Sequence, residues 1–172
     1  MNAPARASRE RLGARSIRPA DPADLDALEA LEEAVFASDR ADRRAFRHAM
    51  RSPSMTLLVA QDEGGLLGYA MMERRRGSSL VRLTSIAVRT ESAGAGLGRH
   101  LLAAAEADAM SHGGERLRLE VRADNAPAQR LYDRAGYRRF AVVEAYYEDG
   151  GAAWRYDKTL NPPAPRSPRP RP

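Results

Sequence analysis

The chain has 172 residues, enough for one domain with a real hydrophobic core, and its 43% apolar content is ordinary for a globular protein. It has no cysteine, which excludes disulfides, thiol catalysis and thiolate metal sites, and its three histidines, His48, His100 and His112, show no metal-ligand spacing. The formal charge of +5 invites a nucleic-acid reading, but residues 1–14 carry +2 and residues 161–172 carry +3, so the two ends account for all of it.

Those ends read as disordered tails, residues 1–14 and the Pro/Arg-rich residues 161–172, around a single domain at 15–160. Basic tails touch an acidic partner or RNA only by nonspecific electrostatics, and no basic patch interleaved with aromatics points to a specific nucleic acid. The sequence has no run of 18 apolar residues. Arg6, Arg9, Glu10 and Arg11 break any signal-peptide pattern. The expectation is a cytoplasmic protein with no membrane partner.

In chain order, Ser16–Ala20 reads as an edge strand, and Asp21-Pro22-Ala23-Asp24 carries helix-start chemistry with proline in the first turn. Leu25, Leu28, Leu31, Val35 and Phe36 form one apolar helical face, with Asp26, Glu29, Glu32 and Glu33 expected on the polar one. A shorter helical pattern over Asp42–Met50 turns Phe46 and Met50 inward. Met55–Ala60 and Leu66–Met72 bracket Asp62-Glu63-Gly64-Gly65 as a hairpin, and Gly77-Ser78 turns into a strand that ends in the apolar run Leu83–Val88.

That strand feeds Ala93-Gly94-Ala95-Gly96-Leu97-Gly98-Arg99, after which Leu101, Leu102, Ala105, Ala109 and Met110 recur at helical spacing. Alternating glycines let the backbone turn sharply and bring its N–H groups close to a ligand. At a helix N-terminus those donors and the positive dipole end suit a phosphate or pyrophosphate. Two familiar phosphate loops do not fit. A dinucleotide fingerprint needs glycine where Arg99 stands, and a Walker loop needs a lysine that this chain, whose single lysine is Lys158, does not supply there. Taken alone, the turn reads first as a tight strand-to-helix connection in a small α/β domain. Beyond it, residues 116–121 read as a strand, Asn125–Ala135 as a helix closed by Gly136, and two further strands complete the domain.

The strand, the Gly-x-Gly-x-Gly turn and helix, then Leu117–Asn125 and Leu131-Tyr132-x-x-x-Gly136-Tyr137, together resemble the GNAT acetyltransferases, and most of all the RimI-like protein N-terminal acetyltransferases. The resemblance covers roughly residues 16–160. It implies an α/β (α+β) GNAT fold: a mixed, mostly antiparallel seven-stranded sheet flanked by about four helices, in the order β-α-α-β-β-β-α-β-α-β-β.

It also implies acetyl-CoA as cosubstrate, its pyrophosphate on Ala93, Gly94, Ala95, Gly96, Leu97, Gly98 and Arg99, and its pantetheine along the backbone of Ile86, Ala87 and Val88 and near Asn125. Ala93 departs from the Arg or Gln usual there, which removes a side-chain contact but not the backbone cradle. Asn125 also stands where it can cap the helix that follows.

Acetyl transfer to nitrogen needs a neutral amine and a proton for the departing thiolate. At pH 7 an α-amine is roughly 14% neutral and a lysine only about 0.04%. By the resemblance Glu120 is the base and Tyr132 the acid. A phenol with a pKa near 10 remains protonated and can donate. Read without the family, Glu120 is a charged residue on the solvent face of an edge strand or one paired with Arg118 or Arg122, and Tyr132 packs against the sheet. The resemblance makes Phe36, Tyr146 and Tyr147 acceptor contacts, where core packing is the alternative reading. The acceptor expected first is a protein or peptide N-terminus. A small amine (polyamine, amino sugar or antibiotic) is the alternative within the enzyme class, and a non-catalytic acetyl-CoA-binding module the alternative outside it. Both monomer and homodimer are compatible with the sequence.

Overall fold

The computed structural model describes residues 15–160, so both expected tails lie outside the described residues. Seven strands form one sheet in the order β1-β2-β3-β4-β5-β7-β6: β1 (Ser16–Pro19), β2 (Met55–Asp62), β3 (Gly65–Arg74), β4 (Leu80–Val88), β5 (Arg116–Arg122), β6 (Arg138–Val143) and β7 (Ala153–Thr159). The helices are α1 (Leu25–Val35), α2 (Arg43–Arg51), α3 (Leu97–Ser111) and α4 (Ala126–Arg134). This is the expected element order, and β1 is the expected edge. β5 is not an edge strand, because β4 and β7 flank it.

Local chemistry accounts for the boundaries. Asp21 caps a single 3-10 turn ahead of α1, accepting from the Ala23 N–H while Asp24 returns a bond to the Asp21 N–H. Asp42 caps α2 through the Ala45 N–H. Gly136 takes φ +88° just past α4, where a side chain would be strained.

Two cores sandwich the sheet. On one face Leu101, Leu102, Ala105 and Ala109 of α3 meet Leu117, Leu119 and Val121 of β5, with Tyr132, Tyr137 and Tyr156. On the other, Leu25, Leu28, Leu31 and Phe46 of α1 and α2 meet Val59, Tyr69 and Ala87. Burying each of the large residues contributes about 1.5–3 kcal/mol.

One sequence expectation fails here. Glu32 is 2% exposed, not on the polar face of α1. It lies four residues after Leu28 and so shares that buried stripe. Its carboxylate accepts from the Tyr69 hydroxyl and from the Ala41 N–H at 2.8 Å, and Tyr69 also bonds Ser85 Oγ at 2.7 Å. Burial pushes the Glu32 carboxyl above its ordinary value, and burial beside Glu32 raises the Tyr69 phenol.

The feature that makes a site is a defect in β4. Leu83 pairs with Met72 and Ser85 with Met71, so Thr84 is an extra residue whose Oγ1 donates to the Met71 carbonyl at 3.0 Å. The bulge inverts the alternation: Val81 and Leu83 enter the α3 core, whereas Ala87 enters the α1 core. β4 and β5 are paired in parallel only from Leu80↔Arg116 to Leu83↔Leu119. Beyond that point the two strands part.

Candidate functional site

A groove of about 720 Å³ opens where β4 and β5 separate. Thr84, Ser85, Ile86 and Val88 line one wall, Leu119 to Arg122 the other, with Leu131 and Tyr132 of α4 and its cap Asn125, and with Phe36 and Tyr147 from the α1–α2 and β6–β7 connections. At this gap β4 exposes backbone as well as side chains. Arg89 N–H donates to the Leu67 carbonyl on β3, so by alternation Ala87 also turns its backbone to β3. Ile86 and Val88 are left to face the gap. Of the three residues expected to pair with an extended ligand, Ala87 therefore contributes only its buried side chain.

The glycine turn stands beside this wall. Gly94 and Gly96 have φ +79° and +77°, and Gly96 is the left-handed residue that opens α3. Ala93 N–H is bonded to the Thr90 carbonyl at 3.1 Å and Ala95 N–H to that of Ser92 at 3.4 Å. Among the described residues, the N–H groups of Gly94, Gly96, Leu97, Gly98 and Arg99 have no acceptor in the chain. Five donors near the positive end of a 15-residue helix are thus left for a ligand. The Leu97 side chain is buried in the core, the Arg99 side chain is exposed, and Gly98 borders the groove. A Cβ on Gly98 would stand 3.4 Å from Leu131.

Tyr132 is 4% exposed, with its ring among Tyr137 and Tyr156. Its hydroxyl bonds no group of the chain among the described residues, while the residue lines the groove. Burial raises its pKa further above the ordinary tyrosine value, so it stays a proton donor throughout the neutral range. The packing reading and the groove reading thus hold together. So they do for Phe36, which packs against the α1 core and borders the groove. Asn125 caps α4, its Oδ1 accepting from the Ala128 N–H at 3.2 Å, and lines the groove as well.

Glu120 opens on the groove, but its partners are not the neighbours expected from sequence. Arg82 Nη2 lies 3.0 Å from Glu120 Oε2, and Arg155 Nε lies 3.3 Å from Oε1. Arg82 also donates to the Tyr146 hydroxyl at 2.9 Å, which holds Tyr146 over the carboxylate but outside the groove lining. Tyr147 does line it, its phenol pushed up to about 12 chiefly by burial. The two rings pack edge to face, 5.0 Å apart.

A contact absent from the sequence reading closes this end. Arg122 reaches Asp149 in the β6–β7 loop at 2.5 Å, Asp124 after β5 at 3.4 Å and Asp39 in the α1–α2 loop at 3.9 Å, and lies over the Tyr147 ring at 4.5 Å. One arginine thereby fastens three separate segments around the groove. Its only sequence signal is proximity to Glu120 on the same strand face. Among the described residues, no helix is long and apolar enough to cross a membrane and no carboxylate or histidine cluster suits a metal.

Residues 24–137 match the Acetyltransferase (GNAT) family. The N-alpha-acetyltransferase RimI of Mycobacterium tuberculosis is 33% identical over 133 residues, 76% of this chain and 82% of that protein. A mycothiol acetyltransferase of Clavibacter michiganensis is also 33% identical, over 72% of this chain but only 42% of its own length. In fold, the ribosomal-protein-S18-alanine N-acetyltransferase of Escherichia coli superposes with a TM-score of 0.77 at 24% identity, covering 89% of this chain and 98% of that one.

Proposed function

The chain belongs to the GNAT acetyltransferase family, as an acetyl-CoA-dependent N-acetyltransferase, and we propose that its acceptor is the N-terminal α-amine of a protein or peptide. The observation that carries this reading is the groove itself. It runs between β4 and β5 and is bordered at its acceptor end by the α1–α2 loop, with Phe36, and by the β6–β7 loop, with Tyr147, as an extended chain end requires. The named activity of the M. tuberculosis relative agrees with it.

The residues present suit acetyl-CoA. Five N–H groups at and before the start of α3 that have no acceptor among the described residues fit a pyrophosphate, and the outward backbone of Ile86 and Val88 fits an amide chain added as a strand. When bound, the cosubstrate supplies the acetyl thioester and a thiolate leaving group. Tyr132 keeps its proton at neutral pH and holds it at the groove, which makes it the acid. Glu120, held between Arg82 and Arg155, takes the proton released by the attacking nitrogen, directly or through one water. An α-amine is already partly neutral near pH 7, so it asks little of the base. Tyr147 and Phe36 flank the acceptor residue, and Tyr146 acts through Arg82.

Acetylation of a small amine is the second reading, favoured by the likeness to a mycothiol acetyltransferase. The two separate by incubating the protein and acetyl-CoA with a free-N-terminal alanine peptide, its N-blocked lysine counterpart, and spermidine or an amino sugar. Mass spectrometry is expected to find product only with the first. Product only with a small amine would transfer the function there.

A further inference from the structure

Among the described residues, no helix covers the face of β4, β5 and β7 that carries Glu120, because α1 and α2 pack on β2, β3 and the end of β4. Pairing register arranges its side chains in rows. Arg82, Arg118 and Asp157 stand side by side on β4, β5 and β7, and Glu120 stands opposite Arg155 in the next row. Arg116 lies two residues back along β5 on the same face. Four arginines therefore share two carboxylates: Arg82 and Arg155 on Glu120, Arg116 and Arg118 on Asp157 at 3.6 and 3.4 Å. Within these ion pairs two positive charges are left over, and Glu73, opposite Arg82 on β3, forms no ion pair with them among the described residues.

The hydrogen bonding is incomplete as well. Among the described residues, the buried side-chain nitrogens without a hydrogen-bond acceptor are Arg118 Nε and Arg155 Nε, both in this strip. The Arg118 guanidinium also lies 4.6 Å over the Phe140 ring, which is 47% exposed, so an apolar surface borders the charged one. Glu120 belongs both to the strip and to the groove. A chain end placed with its amine at Glu120 would carry its following residues over these arginines, about 3.3 Å per residue when extended.

We propose that this arginine strip is a specificity subsite for acidic side chains in the few residues that follow the acetylated one, engaging them through Arg116 and Arg118. The proposal rests on the N-terminal acceptor reading. It commits to the acceptor polypeptide as occupant because the excess charge is positive and the strip is continuous with the groove that takes the amine.

The test compares kcat/KM for three free-N-terminal peptides, Ala followed by two Glu, two Gln or two Lys on a common neutral tail, in the native protein and in Arg116→Gln/Arg118→Gln. The Glu peptide is expected to exceed the Gln peptide about five- to tenfold at low salt. That preference should shrink at 0.5 M salt and disappear in the double variant, while the Gln peptide changes less than about twofold. Equal rates for all three peptides, or a preference retained in the variant, would overturn it. A second readout does not require turnover: anisotropy of the same peptides, already Nα-acetylated and labelled, with coenzyme A present. Tighter binding of the acidic product, lost in the variant, supports the strip even if no α-amine is acetylated. Equal binding overturns it, as does a single-stranded RNA of matched charge that competes better than the acidic peptide, which would assign the strip to nucleic acid.

Discussion

The two ends of the groove recognise by different means. At the glycine turn the ligand-facing groups are backbone N–H donors presented by residues close in sequence, and among the described residues no ion pair holds the turn in place. At the acceptor end they are side chains from the α1–α2 loop, β5, α4 and the β6–β7 loop, held by Arg82, Arg122 and Arg155. A backbone cradle tolerates changes of side chain, such as Ala93, but not changes of backbone conformation. A convergent cluster behaves the opposite way.

Substitutions can break that contrast, and the largest effect is expected at Tyr132. Tyr132→Phe should lower kcat about 10²- to 10³-fold, the range of a lost general acid, with KM for acetyl-CoA and the melting temperature nearly unchanged, because the hydroxyl bonds nothing in the chain among the described residues. A fall in stability instead would mean that the hydroxyl itself, and not only the ring, supports the fold. Glu120→Gln should cost about 10- to 100-fold in kcat/KM and leave acetyl-CoA binding intact, since Glu120 belongs to the acceptor end. At the other end, Gly96→Ala places a side chain at φ +77°, a strain of roughly 1–2 kcal/mol. Its mark should be a severalfold rise in KM for acetyl-CoA, with the acceptor KM unmoved. If both constants rise alike, the two ends are not separable.

The smallest effect tests the scaffold between them. Glu32 ties the α1–α2 loop to Tyr69, and its carboxyl is raised in the folded state. A raised carboxyl stabilises the fold most at pH below the unfolded value of about 4.3, and that stabilisation is lost as pH climbs through the folded value. The melting temperature of the native protein minus that of Glu32→Gln should therefore fall between pH 4 and pH 8, by about 2–4 °C for each kcal/mol lost. A difference independent of pH would contradict the burial argument.

The same contrast explains what could be read in advance. The strand-turn-helix unit, the element order and the cap at Asn125 are written in neighbouring residues and were legible. Tyr132 was legible as a position, seven residues after Asn125. Glu32 was misplaced because its residue type outweighed its spacing from Leu28, and the partner that makes its burial tolerable lies 37 residues away. The Arg82 contact spans 38 residues and depends on the register of β4 against β5, which periodicity does not fix. The bulge at Thr84 was equally hidden. An apolar run reads the same with or without an extra residue, yet this one aims Ile86 and Val88 at the gap.

The most direct test of the central claim puts both kinds of amine in one molecule. A peptide with a free N-terminal alanine and an internal lysine, incubated with acetyl-CoA and an equal concentration of spermidine, would be read by tandem mass spectrometry for the site and rate of acetylation. The groove geometry predicts acetyl on the α-amine, in excess over the lysine and spermidine together. Acetyl mainly on spermidine or on the lysine would contradict it.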